Sequence, residues 1–76
     1  MNQYPLDENG LTVRNKDVIC AAAQGYTNKE IARILGMSPH TVNSHMVRVY
    51  KTLGVNNRSE LLLEAQRLGI VNGVHK

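Results

Sequence analysis

Tryptophan and phenylalanine are missing from these 76 residues, and three tyrosines are the only large aromatic side chains. Any core must therefore be aliphatic, assembled from Leu, Ile, Val, Met and Ala. Cysteine occurs once, at Cys20, which excludes an internal disulfide and fits a reducing compartment. No apolar run approaches the roughly 20 residues that a membrane span requires. The polar opening MNQYPLDENG also lacks the charged-then-apolar pattern of a secretory signal. Together these absences give the expectation of a soluble, cytoplasmic protein. Acidic residues are scarce as well, with six Asp and Glu against nine Lys and Arg and a net charge of +3.

The length allows one domain with one small core, because a chain this short buries only about 60% of its unfolded surface. A hydrophobic content of 42% with 20% charged residues is ordinary globular composition and excludes disorder. The positive charge is not spread evenly. Between Thr27 and Arg58 the residues Lys29, Arg33, Arg48, Lys51 and Arg58 face a single acid, Glu30. The excess of cations thus falls in the middle of the chain, as it would for a partner carrying negative charge.

Residues 1–10 are polar, contain Pro5 and end in Gly10. They are expected to form a flexible arm, with 11–76 as the domain proper. Four helices are predicted in that domain, each with its own punctuation. Thr12 caps a first helix over Val13 to Gln24, stopped by Gly25. TNKE, starting at Thr27, is a capping box that opens a short second helix ending at Gly36. Ser38 caps a third helix with Pro39 in its first position, where the missing N–H costs nothing. That helix runs to Leu53 and stops at Gly54. Asn57 and Glu60 have capping-box spacing and open a fourth helix that Gly69 ends. No stretch alternates as a strand, so the fold class is all-α, a compact four-helix bundle.

At about 100° per residue, Val42, Met46, Val49 and Leu53 make one apolar stripe on the third helix, and Ile31, Ile34 and Leu35 make another on the second. Ala32 is small enough for two helices to approach closely. Gly36 can take the left-handed conformation of a tight turn, and Val42 plugs the angle beyond it. This is the spacing of a helix-turn-helix. The far side of the third helix collects His40, Asn43, Ser44, Val47, Arg48 and Lys51. A polar helix face is usually only a solvated one. Val47, however, gains nothing from water, whereas a thymine methyl would use it, and Asn43 one turn earlier could pair bidentately with adenine. Arg48 and Lys51 flank them at phosphate distance, and Arg48 could also reach guanine.

Other residues point elsewhere or nowhere. Cys20 and the three histidines lack zinc-ligand spacing, so no metal and no cofactor is expected. No catalytic constellation is present, which argues against an enzyme. Tyr26 and Tyr50 read as packing residues. On the fourth helix Leu61, Ala65 and Leu68 share the inward face, while Leu63 points away, beside Glu60 and Arg67.

With these residues in hand, the chain resembles the LuxR/FixJ (GerE-type) helix-turn-helix DNA-binding domain, without gaps from Leu11 to about Ala65. The resemblance rests on LTVR (Leu11–Arg14), GYTNKEIA (Gly25–Ala32), TVNSH (Thr41–His45), LGV (Leu53–Val55) and NRSE (Asn57–Glu60). It implies double-stranded DNA as the partner, the third helix as the recognition helix in the major groove, and transcriptional regulation in the cytoplasm at the nucleoid. It further implies a weak homodimer through the fourth helix at two-fold-related half-sites, with RNA polymerase as a further partner. Carried over by position, Asn43, Ser44, Val47 and Arg48 would contact bases. Thr27, Asn28, Lys29, Ser38, His40, Thr41, His45 and Lys51 would contact phosphates, and Leu63 and Arg67 would lie at the dimer interface.

The sequence departs from the family pattern at Asn15, where Glu is usual and often pairs with a basic residue, and at Asn43, where Lys is frequent. Ala21 and Ala22 replace larger aliphatic residues, which implies a thinner core against the first helix. A rival reading keeps the fold but makes the chain a helical interaction module that binds and modulates another regulator. Family members commonly carry a receiver or ligand-binding domain ahead of this one. With ten residues before Leu11, a single-domain regulator and a piece of a larger one both stay open.

Overall fold

Residues 5–71 are described by a computed structural model, which places four helices: α1 (Val13–Ala23), α2 (Asn28–Leu35), α3 (Pro39–Leu53) and α4 (Arg58–Arg67). Each begins at an expected cap. Thr27 Oγ1 accepts the Glu30 N–H while the Glu30 carboxylate accepts the Thr27 N–H, a reciprocal box. Ser38 Oγ accepts the Thr41 N–H, with Pro39 in the first turn. At α1 the box that Thr12 opens is closed by Asn15, whose Oδ1 accepts the Thr12 N–H at 2.9 Å. At α4 Asn57 Oδ1 accepts the Glu60 N–H, but the Glu60 carboxylate reaches one residue further back, to the Asn56 N–H.

The bends between helices follow from local chemistry. Gly36 sits at φ 69°, ψ 37° and its N–H closes on the Ala32 carbonyl. Only glycine takes that left-handed conformation without strain. The turn therefore folds α3 back across α2, and both helices pack on α1. The core is aliphatic throughout. Val18 and Ile19 of α1, Ile31 of α2, Val42 and Val49 of α3 and Leu61 of α4 are fully enclosed. Ala21, Ala22 and Ala32 are buried among them, and their small side chains let the helices come close at those points.

Several expectations need correction. Ile34 was expected in the apolar stripe of α2 but is 53% exposed. The buried side of this helix is centred between Ile31 and Ala32, where the alanine admits its neighbours, and Ile34 is left on the outer flank. Leu53 and Leu68 are half-buried rather than enclosed, because both lie at helix ends. Tyr50 packs against the core as expected, whereas Tyr26 stands exposed in the turn before α2. Helix α1 ends at Ala23, with Gln24 as its C-cap, one residue short of the predicted end.

The segment expected as an arm is tied down from Asp7 onward, and residues 1–4 lie outside the described range. Asp7 Oδ1 accepts the N–H groups of Asn9 and Leu11, and Oδ2 pairs with Lys16 at 3.0 Å. The Leu11 N–H and the Lys16 ammonium hold the Asp7 carboxyl below the usual carboxylate range. Beyond α4 the chain folds back, and Ile70 and Val71 pack against the core with the Ile70 N–H on the Ala65 carbonyl. No helix among the described residues is long and apolar enough to cross a membrane.

Candidate nucleic-acid interface

Helix α3 divides cleanly. Val42, Met46 and Val49 are buried, while His40, Thr41, Asn43, Ser44, Val47, Arg48 and Lys51 are exposed. Val47, at the centre of the outer face, is 52% exposed. Asn43 precedes it by one turn and Lys51 follows by one turn, so the three share one ridge. Ser44 donates its hydroxyl to the His40 carbonyl at 3.1 Å, which leaves its oxygen free to accept but spends its proton.

The ion pairs sharpen the charge distribution. Among the described residues they join Arg14 to Asp17, Lys16 to Asp7 and Arg67 to Glu64. All three lie outside α2 and α3, and Glu30 is occupied as a cap. The acids thus neutralise bases elsewhere and leave Lys29, Arg33, Arg48 and Lys51 uncompensated on the helix-turn-helix. Lys29 and Thr27 are exposed at the start of α2, and Asn28 beside them is half-buried. On α4, Leu63 is 67% exposed. Arg67, expected at the same surface, already forks onto the Glu64 carboxylate of its own helix.

His45 stands apart from the other expected phosphate contacts. It is half-buried, and its Nδ1 lies 2.8 Å from Asn15 Nδ2. The Asn15 carboxamide oxygen is held by the Thr12 N–H, so its nitrogen must be the end that faces His45. The amide then donates, Nδ1 accepts, and the ring proton sits on Nε2. Asn15 therefore closes the α1 cap and pins the α3 imidazole in one tautomer. Asn15 is 1% exposed, and the T-x-x-N spacing after Thr12 was the signal by which its capping role could have been found.

Burial holds His45 below the ordinary imidazole range, and the cations of Arg14 and Arg48 add to this. A histidine depressed on folding takes up its proton more readily when unfolded, so stability rises with pH across that interval. The domain should lose melting temperature as pH falls below about 6.5, the unfolded value, towards the lower folded one. His45→Gln, which can still accept from Asn15, should remove that decline. If wild type and variant fall in parallel between pH 7.5 and 5.5, the assignment to His45 is wrong.

An open groove of about 810 Å³ runs between this flank of α3 and the N-terminal end of α1, lined by Leu6, Val13, Thr41, Ser44, His45 and Arg48 among others. Arg14, at its rim, also donates to the Leu35 carbonyl at 2.8 Å, a cation on the C-terminal end of α2. Burial, with Asp17 nearby, pushes the Cys20 thiol up, and its Sγ faces the Ile70 carbonyl at 3.7 Å, the setting of an inert thiol. Among the described residues no three His, Cys, Asp or Glu side chains gather as a metal site would require.

Comparison with known proteins agrees with this geometry. The profile of the bacterial regulatory proteins, luxR family, matches residues 9–65. A putative HTH-type transcriptional regulator of Mycobacterium tuberculosis is 42% identical over 59 residues, which is 78% of this chain and 7% of that protein. The chain therefore spans a small fraction of that relative's length. The solved structure of the transcription factor GerE superposes with a TM-score of 0.77 at 34% identity, covering 82% of this chain and 92% of GerE. The Vibrio cholerae VqmA–ligand–DNA complex superposes with a TM-score of 0.74 at 27% identity, covering 79% of this chain and 26% of VqmA.

Proposed function

Since the chain belongs to the luxR family of bacterial regulatory proteins, we propose that it binds double-stranded DNA in a sequence-specific way and regulates transcription in the cytoplasm, with α3 in the major groove. The observation that carries this reading is the outer ridge of α3. There an apolar side chain, Val47, stands half in water between Asn43 and Lys51, on a helix-turn-helix whose Lys29, Arg33, Arg48 and Lys51 make no ion pair among the described residues. Bases would be read by Asn43, Val47 and Arg48, with Ser44 as an acceptor. Phosphates would be held by Lys29, Lys51, His40, Thr41 and the polar groups at the starts of α2 and α3. His45 would contribute only its Nε2–H. The domain would pair through α4, with Leu63 as the exposed apolar contact, and present RNA polymerase with a DNA-bound surface.

A salt titration of duplex binding tests this. Each neutralised phosphate contributes about 0.9 to the logarithmic slope. Two subunits each using Lys29 and Lys51 would give a slope of about −3.6, so affinity should drop about a hundredfold between ~50 and ~200 mM salt. Absent or salt-independent binding would favour the interaction-module reading. On two-fold-related half-sites Leu63→Glu should weaken cooperative occupancy but spare single half-sites, and cooperativity that survives it would place the pairing surface elsewhere.

A further inference from the structure

Arg58 opens α4, yet its side chain works at the start of α2. Its Nη1 donates to the Tyr26 carbonyl at 2.8 Å, and its Nη2 donates to Asn28 Oδ1 at 3.3 Å. These contacts span 32 and 30 residues of sequence. Side-chain amides have two unlike ends, an acceptor oxygen and a nitrogen with two N–H donors. A guanidinium can only donate, so it selects the oxygen end of Asn28 and turns the nitrogen end away from itself.

We infer that Arg58 is a positioning residue for DNA binding, holding the Asn28 carboxamide so that its Nδ2 donors are presented to a backbone phosphate. This rests on the DNA-binding reading above and assigns to Arg58 a role in it that acts through Asn28. The fork geometry is essential: one nitrogen anchors on the Tyr26 carbonyl while the other sets the amide. A lysine carries the same charge without the fork and cannot do both. The same contact ties the first turn of α4 to the start of α2.

The test is a double-mutant cycle on duplex affinity with Arg58→Lys, Asn28→Ala and their combination, each melted in parallel to confirm the fold. Arg58→Lys leaves net charge unchanged, yet it should weaken binding several-fold at a nearly constant salt slope, because the contact it removes is a neutral amide's and displaces no counterion. Asn28→Ala should do the same, and the double variant should bind no more weakly than either single one. Losses that multiply instead would overturn the inference, because Arg58 would then act independently of Asn28.

Asn28→Asp provides a variant that keeps the fold. Its carboxylate pairs with Arg58 and suits the first turn of a helix, so the melting temperature should hold or rise. With no donor left and a negative charge added, DNA affinity should still fall about tenfold or more. Wild-type affinity in Asn28→Asp would overturn the inference while leaving DNA binding itself intact. Failure of the wild type to bind any duplex would overturn both.

Discussion

Ile31→Ala is expected to remove about 2–5 kcal/mol of stability, the range for truncating a fully enclosed aliphatic side chain to alanine. Ile31 has no exposed surface and belongs to the core on which α1, α2 and α3 converge. Two terms add: the transfer free energy of the lost carbons and the void they leave. One term opposes them, since alanine favours helix by a few tenths of a kcal/mol over isoleucine, too little to change the sign. A domain of this length has about 4–11 kcal/mol in total, so the loss is a large share of it. Urea denaturation should show a lower midpoint at unchanged slope. A loss below about 1 kcal/mol would mean that the α1–α2–α3 junction closes over the void or never depended on this side chain.

The second large effect concerns specificity. Asn43 and Val47 lie one turn apart on the exposed ridge of α3. An asparagine amide matches adenine by donating to N7 and accepting from the exocyclic amine, and valine suits only the thymine methyl. Selected binding sites should therefore carry A·T pairs at the contacted positions of each half-site. Replacing the pair opposite Asn43 should cost about 1–3 kcal/mol, the value of a good bidentate contact. Asn43→Ala should flatten the preference at one base pair while leaving the salt slope nearly constant, because no phosphate contact is lost. Val47→Ala should do so more weakly at a neighbouring pair. Site selection from random duplexes with wild type and both variants reads this directly. Equal information at every position in all three would show that α3 does not read bases through these residues.

Much of the fold was legible because helix boundaries here are local chemistry. Thr12, Thr27, Ser38 and Asn57 each cap the helix expected of them, and Gly36 and Gly54 end α2 and α3 in left-handed conformations. The outer face of α3 was legible too, since its periodicity needs no knowledge of neighbours beyond the side that Val42, Met46 and Val49 must bury. Ile34 was misjudged for the opposite reason. Its exposure depends on which side of α2 the neighbouring helices approach, and the closeness permitted by Ala32 decides that.

The same division separates the site residues. Caps, turns and the apolar stripe involve partners within about four residues, so sequence spacing alone determined four helices, where each begins and the side of α3 left outside. The contacts that set individual side chains at the proposed interface come from far along the chain: Asn15 on His45, Arg14 on the Leu35 carbonyl, and Arg58 on Tyr26 and Asn28. Which tautomer His45 holds and which end of the Asn28 amide faces outward were decided only when packing brought those donors and acceptors together. A hydrogen bond is directional over about 3 Å, and no periodicity in a sequence encodes a distance that short between residues twenty or thirty positions apart.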